Sequence, residues 1–203
     1  MIFAIPKKII YIFLVLASSF AFGNDDNSNR IEVLVNENVI TKYDIIQRLK
    51  INSILNRLEI NDDNYNQILN AVIDDLVIEK LKIKKIDEYN VSLSKEEFNQ
   101  HKIRFLTSVK YNEEDLEKLF FMNDINYNYL VELIEIDLKW QKLIYGLYLR
   151  VTSVTEQEIS DLVNKNPNID EQTANDLILQ RQLDLKSMKL IKDLRDEATI
   201  EYK

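Results

Sequence analysis

Cysteine is absent from this 203-residue chain, so neither a disulfide nor thiol chemistry is open to it. Glycine and proline are almost as scarce, with two of each: Gly23, Gly146, Pro6 and Pro167. Phosphate-cradling loops, nucleophile elbows and tight multi-strand barrels all draw on glycine. Its scarcity removes most nucleotide-binding and hydrolase readings and favours helices. There is one histidine, His101. A zinc site wants three or four ligands, mostly His or Cys. A Ser-His-Asp triad would have to use His101, and no nucleophile is marked to accompany it. Acidic residues outnumber basic ones, 34 to 26, for a formal charge of −8. That balance argues against nucleic acid, which is bound by basic patches that displace counterions, and against anionic lipid surfaces. No catalytic, cofactor-binding or metal-ligating residue is assigned.

The chain opens with Lys7 and Lys8, then an uncharged apolar run from Ile9 to Phe22. Ala21-Phe22-Gly23 places small residues two apart, and polarity changes abruptly at Asn24-Asp25-Asp26-Asn27. This is the pattern of a secretory signal peptide over 1–23. The run falls short of the roughly 20 residues of a spanning helix, so cleavage is expected in preference to an anchor. Residues 24–30 then form a flexible lead, with no stable membrane insertion after cleavage.

From Ile31 the pattern becomes structural. Ile31, Val33 and Val35 alternate as on one face of a strand. Asn36-Glu37-Asn38 is a turn, and Val39-Ile40 a second short strand. A hairpin alone is marginal in water. Its best third strand is at the far end, Ala198 to Lys203, so the two ends are expected to close the fold. Between them the periodicity predicts helices over about 42–58 and 65–88, a third opening at Ser94, helices over about 113–122 and 127–149, a short one opening at Thr155 and a last over about 170–197. The first is expected to face inward with Ile45, Ile46, Leu49, Ile54, Leu55 and Leu58. Thr41/Asp44, Ser94/Glu97 and Thr155/Glu158 have capping-box spacing. The fold class is mainly α: a multi-helix core with a small sheet from an N-terminal hairpin and the C-terminal strand.

Three constellations stand out. Glu97 and His101 share a helix face at i, i+4, but too few further ligands exist, and His101 is read as an exposed polar residue. Glu132, Glu135 and Asp137 alternate with Leu133, Ile134, Ile136 and Leu138 as a solvated face does. Phe120, Phe121, Met122, Tyr127, Tyr129 and Trp140 gather around one helix break. Such side chains suit adaptable binding of unfolded segments, and equally suit a bundle core. The candidate is the cluster lining a groove, with no single member fixed.

The order of these motifs resembles the SurA N-terminal domain family of periplasmic chaperones. Val35-Asn36-Glu37-Asn38-Val39-Ile40-Thr41-Lys42-Tyr43-Asp44 is similar to the family's opening segment. Val91-Ser92-Leu93-Ser94-Lys95-Glu96-Glu97 is similar to the segment after its second helix, with Asn90 where glycine is usual. Arg150-Val151-Thr152-Ser153-Val154-Thr155-Glu156-Gln157-Glu158-Ile159 resembles its exit segment. The final helix and Ala198-Thr199-Ile200-Glu201-Tyr202 resemble its returning strand. Relatives usually insert one or two parvulin-type isomerase domains between the exit segment and the last helix. Here only the loop around Pro167, near 164–169, occupies that place. The resemblance implies a chaperone core over 31–203 without the isomerase, and no enzyme activity. It implies a periplasmic, ATP-independent holdase, needing no cofactor, for unfolded outer-membrane protein segments. The rival expectations are a cell-envelope adaptor binding one folded partner and a divergent peptidyl-prolyl isomerase.

Overall fold

The computed structural model describes residues 28–203, so the expected signal peptide and the start of the lead lie outside the described residues. Ile31–Val35 (β1) and Asn38–Thr41 (β2) form an antiparallel hairpin. Alternation buries Val33 and Val35, and Asn36 makes the turn at φ 53°, a region that asparagine enters more readily than most residues. Ile200–Tyr202 (β3) pairs antiparallel with β1, with Val33 opposite Tyr202 and Val35 opposite Ile200. The order β2-β1-β3 puts the N-terminal strand in the centre. Asn36 fastens the junction. Its backbone N–H donates to the Thr199 carbonyl at 2.8 Å, and its Oδ1 accepts from the Thr199 N–H at 3.0 Å.

Seven helices are present among the described residues: Lys42–Asn56 (α1), Tyr65–Glu88 (α2), Lys95–Val109 (α3), Glu113–Met122 (α4), Tyr127–Tyr148 (α5), Glu156–Lys165 (α6) and Glu171–Glu197 (α7). A 3₁₀ turn, Leu149–Val151, follows α5 where the β-branched residues interrupt the periodicity. All three capping boxes form. Thr41, Ser94 and Thr155 each accept from the backbone N–H three residues on, and Asp44, Glu97 and Glu158 reach back. Asn112, Asn126 and Asp170 cap α4, α5 and α7 through their side chains alone.

Three apolar clusters follow one another along the molecule. The first joins Val33, Val35 and Ile40 of the sheet to Ile45 and Leu49 of α1 and to Val72, Leu76, Val77 and Leu81 of α2. The second joins Ile51 of α1 to Leu106, Leu116, Phe120, Ile125, Leu130 and Ile134. The third joins Ile86, Trp140, Leu143, Ile144 and Leu183. Helix α1 is therefore gripped from two sides, and its inner face differs from the expected one. Ile51 is buried, whereas Ile46 and Leu58 lie at the surface. Helix α6 buries no residue fully and packs along α7, where Ala174 is completely covered. The α6–α7 connection is short, residues 166–170. Among the described residues, no helix is long and apolar enough to cross a membrane.

Candidate functional site

Successive side chains on a helix point about 100° apart, and at the end of α4 this separates two adjacent phenylalanines. Phe120 is fully buried and meets the Tyr127 ring edge-on, with centroids 5.9 Å apart. Phe121 is 84% exposed and Met122 71% exposed. The chain then turns through Asp124, at φ 53°, and its carbonyls are not left open: the Ile125 N–H donates to the Phe120 carbonyl at 2.9 Å. Ile125 is buried and backs the turn. The result is an apolar groove of about 660 Å³, bordered by Phe121, Met122, Ile125 and Tyr127, with Glu117 and Lys118 at its rim.

Helix α1 holds this ledge in place. The buried Gln47 donates from Nε2 to the Asp124 carbonyl at 3.0 Å and accepts the Asn126 N–H on Oε1 at 3.1 Å. Lys50 donates to the Asn123 carbonyl at 2.8 Å. One side chain thus pairs with a turn nearly eighty residues away as a strand would. Beside it, Arg48 forms a buried ion pair with Glu79 of α2, and its guanidinium lies 5.8 Å from the Tyr129 ring centroid. Burial, then the Glu79 charge, pushes the Tyr129 hydroxyl up to about 12. Arg48 Nε is buried with no hydrogen-bond partner among the described residues. Neither Gln47 nor Arg48 carries a local sequence signal, because their partners are distant in the chain.

The six candidate aromatic and methionine residues divide clearly. Phe121 and Met122 are exposed, Tyr127 and Tyr129 are half-buried, and Phe120 and Trp140 are core residues. Trp140 donates from Nε1 to Ser187 Oγ at 2.8 Å, tying α5 to α7, and the Lys82 ammonium sits 5.6 Å from its ring centroid. Burial lowers the Lys82 pKa. Phe120 therefore backs the groove from within, Trp140 belongs to the separate α5–α7 cluster, and neither lines the groove.

The other two constellations are also placed. His101, expected to be exposed, has a side chain only 12% exposed and lies 3.2 Å from Asp137 of α5. It is pressed between two packed helices. Glu97 turns away from it, accepts from Lys142 at 2.8 Å and closes its capping box. The Lys142 hydrogen bond, then that of the Ser94 backbone, lowers the Glu97 carboxyl to about 2. Glu132 is exposed, and Glu135 pairs with Lys139 at 2.7 Å, as on a solvated face. Among the described residues, no group of three His, Cys, Asp or Glu side chains is placed to hold a metal ion.

A second apolar surface was not singled out by the sequence pattern. Between α6 and α7, Leu162, Leu177, Ile178 and Leu185 border a groove of about 560 Å³. Leu177 and Leu185 are each 53% exposed, and Met188 is 57% exposed. Their helical spacing reads as a core face in the sequence.

No family model matches the chain, and no curated protein matches it. Its fold does match a solved structure. That structure comes from work on the virulence factor PEB4 and the periplasmic protein Cj1289 of Campylobacter jejuni, described there as two structurally related SurA-like chaperones. The match has a TM-score of 0.51 at 13% identity and covers 85% of this chain and 98% of the other. At that identity the likeness establishes the fold, which is SurA-like, as the sequence motifs imply.

Proposed function

We propose that this chain, sharing the fold of SurA-like chaperones, is a periplasmic, ATP-independent holdase for unfolded outer-membrane proteins. The observation that carries the reading is the ledge at the end of α4. Phe121 and Met122 stand open to solvent at the end of α4, and Gln47 locks the turn that follows them. Holding such side chains in water is costly, about 25 cal/mol per Å² of apolar surface. A pre-formed turn lets a client segment recover that cost without reordering the protein. The α6–α7 groove supplies a second apolar surface. Two shallow grooves give several weak contacts in place of one tight one, which suits a client that must be released. The acidic surface keeps the protein apart from its own copies while it presents apolar area. Residues 1–23 act as the export signal, and residues 31–203 are the chaperone core without an isomerase domain. No chemical step is involved.

The test is suppression of aggregation. An unfolded outer-membrane barrel protein is diluted from urea with and without the purified protein, and light scattering is followed. Suppression near equal stoichiometry is expected. The double variant Phe121→Ala/Met122→Ala is expected to need several-fold more protein for the same effect, with unchanged circular dichroism. Absence of suppression by a folded, helical wild type would overturn the holdase reading in favour of an adaptor.

A further inference from the structure

We propose that the α4 groove takes apolar client segments bearing lysine or arginine beside their apolar side chains, and discriminates against acidic ones. The inference rests on the holdase reading and names its preferred client.

The ledge is acidic in a particular way. Helix α4 opens with Glu113, Glu114 and Asp115, and Glu117 follows one turn later at the rim of the groove. Asp124 lies in the turn that ends the ledge. Three nearby cations are already engaged. Lys118 pairs with Glu114 at 2.6 Å, Lys102 with Glu113 at 2.7 Å, and Lys50 donates to the Asn123 carbonyl at 2.8 Å. The Asp115 carboxylate accepts a hydrogen bond only from the neutral Asn112 side chain, whose Oδ1 accepts the Asp115 backbone N–H in return. Glu117 and Asp124 have no side-chain partner among the described residues. The negative field is felt inside the groove. The Tyr127 hydroxyl, 3.3 Å from Glu113, is held above its ordinary pKa by burial first, then by the charges of Glu113 and Glu117.

An apolar floor with an unneutralised carboxylate rim fits an amphipathic segment, its apolar side chains on Phe121 and Met122 and its cation at Glu117. A lysine's methylene stem would lie along the apolar surface while its ammonium reaches the rim. Charges of the opposite sign steer the encounter, and like charges oppose it.

The test uses three labelled peptides with one apolar core, flanked by two lysines, two glutamines or two glutamates, titrated with the purified protein by fluorescence anisotropy. The expected order of affinity is lysine, glutamine, glutamate, with about a 1.5- to 5-fold gain for each exposed ion pair. The spread should collapse in high salt. It should also narrow or reverse in Glu117→Lys. Equal binding of all three peptides, or an unchanged order in Glu117→Lys, would overturn the charge preference and leave the holdase reading intact. Binding of none of them would remove the groove as a client site. The holdase reading would then be decided separately by aggregation suppression.

Discussion

The buried pair Arg48–Glu79 offers a sharp quantitative test. Their side chains are 9% and 11% exposed, so both charges have given up most of their water. They line a cleft of about 220 Å³ together with Asp75, Asp137 and Lys82. Substituting Arg48→Met would leave three carboxylates facing one ammonium, with Glu79 deprived of its partner. Removing one member of a buried pair costs about 3–5 kcal/mol. For a domain of this size, each kcal/mol moves Tm by about 2–4 °C, so the melting point should fall by roughly 6–20 °C. Glu79→Leu should cost less, because Asp75 remains to offset the guanidinium. The double variant Arg48→Met/Glu79→Leu removes both desolvated charges and should lie within about 1 kcal/mol of the wild type. Urea unfolding followed by circular dichroism supplies all four corners of the cycle. A cost below about 1 kcal/mol for Arg48→Met would mean that water reaches the pair. Additivity of the two single variants would mean that they do not interact. Either result refutes the reasoning.

Two further expectations concern the turn beyond α4 and the capping boxes. Gln47→Ala should cost about 1–3 kcal/mol by leaving the Asp124 carbonyl and Asn126 N–H unpaired; hydrogen exchange should show faster amide opening at 124–126, and affinity for the apolar peptides should drop. The Glu97 carboxyl is lowered from its usual 4.5 to about 2, and Glu158 is lowered too, by the Thr155 backbone hydrogen bond first. A depressed carboxyl contributes stability that is complete above its unfolded value and is lost as pH falls through the folded one. Thermal melts should therefore weaken from about pH 4.5 towards pH 2, and Glu97→Gln should flatten that decline.

Local chemistry and the closing strand were legible in the sequence, and long-range contacts between helix side chains were not. The three capping boxes depend on residues three apart, and all form where their spacing places them. The end strand was found because a lone hairpin needs a third partner and only Ala198–Lys203 has the pattern. The split between Phe120 and Phe121 was hidden. Both belong to one apolar run, and a shift of one residue in the phase of α4 would exchange their roles. Gln47 reads as an ordinary polar helix residue until the turn at Asp124 is brought against it. His101 was misplaced for the same reason: the packing of α3 on α5, which brings Asp137 to its ring, is not written in either helix alone.

The position of β1 between β2 and β3 has a consequence for the order in which the molecule is built. A chain made from its N-terminus completes the hairpin early, but β1 keeps one hydrogen-bonding edge open until residues 200–202 emerge. All seven helices precede that moment. Closing so long a loop is among the slower events in folding, because its entropy is lost before the contacts reward it. Residues 200–202 therefore act as a latch: they cover the open edge of β1, and a cut that removes them would bare that edge of the central strand.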